Sequence, residues 1–214
     1  LFGDDKLPSL PRDVKEAVQR CREATQTALQ RRVSRMDIEF PVGTQFGVEK
    51  RPKRKGDAKP TAQDLEQSNR EIARIFVEMF QPVGGKNLVV AFRDVDSAEA
   101  ARKMWKGDAS ANSRILSMDR KKTLKQKTKA KGFAAKMAAE IDDDEGGPFE
   151  LPDNTEVALF VAPGPRELVL IQKICERVDM GTLVILLNAR LDSITNYGSA
   201  AATELFQNEF EVVF

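Results

Sequence analysis

The sequence predicts a three-layer α/β fold: a doubly wound, mostly parallel sheet of about six strands with helices on both faces, plus a charged helical insertion. Three observations carry this expectation. Leu88–Phe92, Val157–Val161 and Leu183–Leu187 are uninterrupted apolar runs between polar flanks, as strands buried on both faces of a parallel sheet read. Between such runs lie segments whose apolar residues recur at i, i+3, i+4 and i+7, the stripe of an amphipathic helix. Strands alternating with helices in this way favour right-handed crossovers around one sheet.

The elements follow in order. Over residues 11–33, Val14, Ala17, Val18, Cys21, Ala24, Ala28 and Leu29 form one helical face, and Arg12, Lys15, Glu16, Arg20, Arg22 and Glu23 the opposite one. Met36-Asp37-Ile38-Glu39-Phe40 alternates apolar and polar residues and reads as a short strand ended by Pro41 and Gly43. Residues 47–60 hold Lys50, Arg51, Lys53, Arg54, Lys55 and Lys59 with two prolines and two glycines, a basic solvated loop. Thr61 caps a second helix with Asp64 at the capping-box position, and Pro82 with Gly84-Gly85 is expected to stop it.

After the strand at 88–92, Ser97 is the expected cap of a short helix over 98–106. Ile115–Met118 is a weaker strand. Residues 119–150 differ in kind. Eight basic residues between Arg120 and Lys136 precede five acids, Glu140 to Glu145, and Phe133, Ala134, Met137, Ala138 and Ile141 share a helical face. Strict alternation then resumes: the strand at 157–161, a helix opened by Pro165, the strand at 183–187, a helix near 199–208 and a last strand over 210–214.

Composition limits what this scaffold does. The 214 residues suit one domain, 1–214, with insertions. Hydrophobic content of 41% and charged content of 31% are those of a globular chain with an adequate core. A net charge of +1 supplies no global field for nucleic acid. The absence of histidine removes the commonest general base and zinc ligand. Cys21 and Cys175 both fall in apolar helical patterns and read as buried thiols rather than a disulfide framework or metal site. No apolar run reaches membrane-span length. Leu1 rather than Met opens the chain, compatible with a removed targeting peptide.

Ligands of such sheets bind beyond the carboxyl ends of the strands, near a topological switch point. Gly164 and Arg166, in the turn from strand 157–161 into its helix, are candidates for holding a phosphate or carboxylate. The alternative is a rigid strand-to-helix turn, because the run is neither Gly-x-Gly-x-x-Gly nor a Walker loop and Pro165 lacks an N–H. Asn188 and Arg190, after the most apolar strand, form a second candidate pair. Their structural alternative has Asn188 satisfying loop backbone and Arg190 pairing with Asp192 or Asp94. Asp94, Asp96 and Asp192 carry oxygens suited to Mg²⁺, but no metal spacing is fixed and strand-end aspartates are ordinary helix caps. No cofactor is implied. For partner binding, the candidates are Phe133, Met137 and Ile141 as an apolar anchor, with Lys50, Arg51, Lys53 and Arg54 as a basic patch. The basic runs also suit phosphates of nucleic acid or anionic lipid, but lack interleaved aromatics for stacking bases.

The order of blocks resembles a family known mainly from plants, algae and cyanobacteria, described as a domain of unknown function. That family includes the chloroplast low photosystem II accumulation type of assembly protein and a domain attached to a chloroplast adenylate kinase. The resemblance rests on Leu10-Pro11-Arg12-Asp13 before an Ala-rich helix, Arg35-Met36-Asp37-Ile38-Glu39-Phe40-Pro41, and Leu88-Val89-Val90-Ala91-Phe92-Arg93-Asp94 ahead of Ala98, Ala101 and Trp105. It continues with Val161-Ala162-Pro163, then Leu187-Asn188-Ala189-Arg190-Leu191 before Gly198 and the closing Phe210-Glu211. The family commonly has Asn-Pro-Arg where this chain has Asn188-Ala189-Arg190, and a last-strand tyrosine where it has Val212 or Val213. The resemblance implies a non-catalytic chloroplast protein, in the stroma or at the stromal face of the thylakoid membrane. There it binds or assists assembly of a photosystem complex. Its partners would be photosystem or other thylakoid membrane-protein subunits, with peripheral membrane association and no specific nucleic acid. The competing expectation from the residues is an enzyme or sensor that binds a nucleotide or phosphorylated metabolite at the strand-end loops.

Overall fold

The structure is a computed structural model that describes residues 11–41, 61–107, 112–119 and 149–214. The first helix, α1 (Val14–Gln30), starts at Asp13, whose side chain accepts a hydrogen bond from Glu16 N at 2.8 Å. Strand β1 (Arg35–Ile38) follows. Helix α2 (Ala62–Gly84) begins with the expected capping box. Thr61 Oγ1 accepts from Asp64 N, and Asp64 Oδ2 accepts from Thr61 N. Pro82 does not stop α2, because a proline in the last turn forfeits one hydrogen bond only. Gly85 ends the helix at φ 49° and ψ −123°, a conformation that requires glycine.

Strand β2 (Leu88–Phe92) coincides with its apolar run. Helix α3 (Val95–Met104) starts three residues earlier than expected. Asp94 rather than Ser97 is its cap, with Asp94 Oδ1 accepting from Ser97 N at 2.7 Å. A carboxylate caps better than a hydroxyl here because its charge also meets the positive end of the helix dipole. Strand β3 (Arg114–Ser117), strand β4 (Val157–Val161), helix α4 (Pro165–Arg177) and strand β5 (Leu183–Leu187) follow. Helix α5 (Ala200–Glu204) widens into a π-turn over Leu205–Glu209, and strand β6 (Glu211–Val212) is shorter than the expected 210–214. The amphipathic helix expected around Phe133, Met137 and Ile141, and the basic residues Lys50, Arg51, Lys53 and Arg54, lie outside the described residues.

The six strands pair in the order β3-β2-β4-β5-β1-β6, and every pairing is parallel. This order fixes the layers. The chain steps one way along the sheet from β2 to β3 and the opposite way from β4 to β5. Crossovers of a single hand then put α3 and α4 on opposite faces. The core divides accordingly. On one face α1, α2 and α3 cover Met36, Ile38, Val90, Leu159, Ile185 and their neighbours. On the other, α4 and the α5 segment cover Ala158, Phe160, Val184 and Leu186, with Phe149 beside them. Cys21 and Cys175 sit on these opposite faces and are not bonded to each other. Burial pushes their thiols up to about 12 and about 11.

The strand expected at 36–40 forms, and its alternation does not leave a solvated face: Arg35 is 2% and Asp37 3% exposed. β1 lies between β5 and β6, so the layer over α4 and α5 covers its polar face as well. No helix among the described residues is long and apolar enough to cross a membrane.

Phe160, fully buried in the middle of β4, tests the two-faced core. Phe160→Ala is expected to remove about 3–5 kcal/mol of unfolding free energy in urea titration. A loss under about 1 kcal/mol would mean that the side chain is not packed as described.

Candidate functional site

Where two neighbouring strands send their outgoing connections to opposite faces, the loops diverge and leave a crevice at the strands' carboxyl ends. Among the described connections, two such positions occur. At β2/β4, β2 leads into α3 and β4 into α4. At β5/β1, β5 leads towards α5 and β1 towards α2. The two candidate pairs separate between them. Gly164 and Arg166 lie at β2/β4; Asn188 and Arg190 lie at β5/β1.

The β5/β1 position is filled by its own side chains. Asn188, 9% exposed, accepts from Phe40 N through Oδ1 at 2.8 Å and donates from Nδ2 to Asn69 Oδ1 of α2 at 2.8 Å. One amide thereby ties β5 to the end of β1 and to the helix above. Arg190 pairs with Glu39, not with the expected Asp192 or Asp94. Its Nη1 lies 2.6 Å from Glu39 Oε2, its backbone N–H donates to the other carboxylate oxygen, and its Nη2 donates to the Phe40 carbonyl at 2.6 Å. The reason is topological, since β1 is the lateral neighbour of β5 and brings Glu39 alongside. Asn188 and Arg190 both hold φ 56°, a left-handed conformation that costs a non-glycine residue roughly 1–2 kcal/mol and that these hydrogen bonds sustain.

Beneath this network lies Asp37, which the sequence reading did not single out. Its Oδ1 is buried without a hydrogen-bond partner among the described residues. Burial, followed by repulsion from Glu39 and Asp192, pushes its carboxyl up to about 7, with Arg190 opposing. Glu39 is raised by burial too, against the pull of Arg190. Tyr197, over the same strand end, is raised by burial and then by Asp37 and Asp192, and its hydroxyl donates to the Leu191 carbonyl at 2.8 Å. The signal for Asp37 was present: a carboxylate inside a strand of a sheet expected to be covered on both faces.

The β2/β4 position is open. A crevice of about 620 Å³ is lined by Arg93, Asp94, Met118, Asp119, Gly164, Pro165, Arg166, Glu167 and Leu170. Gly164 N donates to Glu167 Oε2 at 2.9 Å, so the first donor of α4 is engaged within the protein. A Cβ at 164 would meet that carboxylate oxygen at 2.9 Å, so a side chain there would displace the Glu167 carboxylate from its capping position. Ala162, which leads into this turn, holds φ 46°. Arg93 joins Gly164 and Arg166 here as a residue not counted among the candidates, since only the strand order brings the end of β2 against the end of β4. Asp94 is a cap, as strand-end aspartates commonly are. A second recess of about 350 Å³ lies at the opposite end of the sheet, between α4 and residues 149–155. No three of the described Cys, Asp and Glu residues are grouped to hold a metal ion.

A family model described as a domain of unknown function, DUF1995, matches residues 11–214. No curated protein and no solved structure matches the chain.

Two outcomes test the β5/β1 network. Asn188→Ala strips partners from the Phe40 N–H and Asn69, and is expected to cost about 1–3 kcal/mol in denaturant unfolding. Asp37 tests the pH dependence. Its carboxyl lies higher in the folded protein than its ordinary value of 3.8, so folding favours the protonated form. Stability from this residue is complete below pH 4 and lost as pH rises through about 7. Asp37→Asn should flatten that slope and stabilise the protein above pH 7 by on the order of 2–4 kcal/mol. An unchanged slope from pH 4 to pH 8 would assign it to other groups.

Proposed function

The chain belongs to the DUF1995 family, and we propose that it is a non-catalytic binding protein of the chloroplast that assists assembly of a photosystem complex. It acts in the stroma or at the stromal face of the thylakoid membrane, against photosystem or other thylakoid membrane-protein subunits. The observation that carries this reading is the family match over 11–214, which runs through the same blocks whose order resembles the low photosystem II accumulation type of assembly protein. One feature of the fold and one of the sequence support it. The polar residues of the Leu187-Asn188-Ala189-Arg190-Leu191 block hold β5, β1 and α2 together, a scaffolding role. The charged segments 47–60 and 119–150 are additions to an otherwise regular α/β alternation, and they are the proposed contact regions, through Lys50, Arg51, Lys53, Arg54, Phe133, Met137 and Ile141.

The chain immobilised as bait in solubilised plastid extract is expected to enrich photosystem subunits over a blank matrix. The triple substitution of Phe133, Met137 and Ile141 by Ala should reduce that capture severalfold without lowering the thermal midpoint. Capture of no photosystem subunit above the blank would overturn the reading. Equal capture by the triple variant would remove these three residues from the interface.

A further inference from the structure

We propose that the β2/β4 crevice is a binding site for a small phosphorylated metabolite, with the phosphate held between the guanidinium groups of Arg93 and Arg166. The two arginines come from different loops, one after β2 and one from the first turn of α4, and face one opening. Arg93 Nη1 lies 3.9 Å from the position a Cβ on Gly164 would take, so its guanidinium lies across the α4 turn. Neither guanidinium makes an ion pair or hydrogen bond among the described residues. Two of the carboxylates in the crevice are already engaged. Asp94 accepts from Ser97 N at 2.7 Å and from Ser97 Oγ at 3.1 Å, and Glu167 accepts from Gly164 N at 2.9 Å. Asp119 stands on the rim, its backbone N–H donating to the Arg93 carbonyl at 3.1 Å.

Free guanidinium groups are planar forks of donors that match the oxygens of a phosphate. The rest of the wall is apolar, from Met118, Pro165 and Leu170, which suits the carbon body of a metabolite rather than a bare ion. A volume of about 620 Å³ falls within the range that holds such ligands. The location is the one at which open parallel sheets bind ligands, while the other switch point is occupied by Asn188, Arg190 and Glu39. The recess at the amino end of the sheet has no such topological reason to bind. This inference is independent of the assembly role, since a photosystem partner and a crevice ligand engage different residues.

The test uses the whole chain and inorganic pyrophosphate as probe, at constant ionic strength set with chloride. Amide signals are followed by NMR as pyrophosphate is added, and then a panel of nucleoside monophosphates and sugar phosphates. Saturable shifts confined to residues 93–97, 118–119 and 163–168 are expected, and Arg93→Gln with Arg166→Gln should weaken binding at least about tenfold. Each single substitution should weaken it partially, which keeps the test valid where the double variant does not fold. Arg177→Gln, remote from the crevice and paired with Glu150 at the surface, should leave it unchanged. Shifts elsewhere, shifts that do not saturate, or an affinity indifferent to both crevice arginines would each overturn the proposal.

Discussion

A parallel sheet exposes apolar side chains on two faces, and the rest of this structure depends on covering both. β4 and β5, buried along their whole length, sit at the centre and make that demand. A single handedness of crossover meets it by sending α3 and α4 to opposite sides, because the chain leaves β2 and β4 in opposite directions along the sheet. The same rule creates the two switch points. The sites of interest are thus consequences of how the core is closed, not additions to it.

The two switch points have been resolved in opposite ways. At β5/β1 the protein supplies its own contents. Asn188 takes the role of a bridging ligand, linking the β1 backbone to α2, and Glu39 and Arg190 close the opening as an ion pair. Asp37 beneath them is a buried carboxyl with an oxygen that has no partner among the described residues, and burial shifts it towards its protonated form. At β2/β4 Asp94 and Glu167 cap helices, and the guanidinium groups of Arg93 and Arg166 have no partner among the described residues. The scaffold is therefore closed where it joins its first strand to its last long one, and open where its two halves diverge.

How much of this could be read from the chain depends on how local the cause is. The three apolar runs at 88–92, 157–161 and 183–187 are legible because a strand covered on both faces needs little but apolar residues. Capping at Thr61 and Pro165 is legible for the same reason, the chemistry lying within one turn. The alternation of Met36, Asp37, Ile38, Glu39 and Phe40 makes β1 legible as a strand, but not the burial of Asp37. Only the strand order shows that β6 and the α4–α5 layer enclose it. The Glu39–Arg190 pair spans 151 positions, and nothing in either residue's neighbourhood names the other. Gly164 and Arg166 were legible as a strand-end turn, while Arg93 joined them only once β2 was known to neighbour β4.

The contrast between a closed and an open switch point is the centre of this account, and native-state hydrogen exchange measures it directly. The N–H groups of Phe40 and Arg190 are bonded within the β5/β1 network. They should exchange nearly as slowly as the core amides of β4 and β5, whereas the Arg166 amide at the open crevice should exchange at the rate of a mobile turn. Fast exchange of Phe40 and Arg190, equal to that of Arg166, would contradict the account.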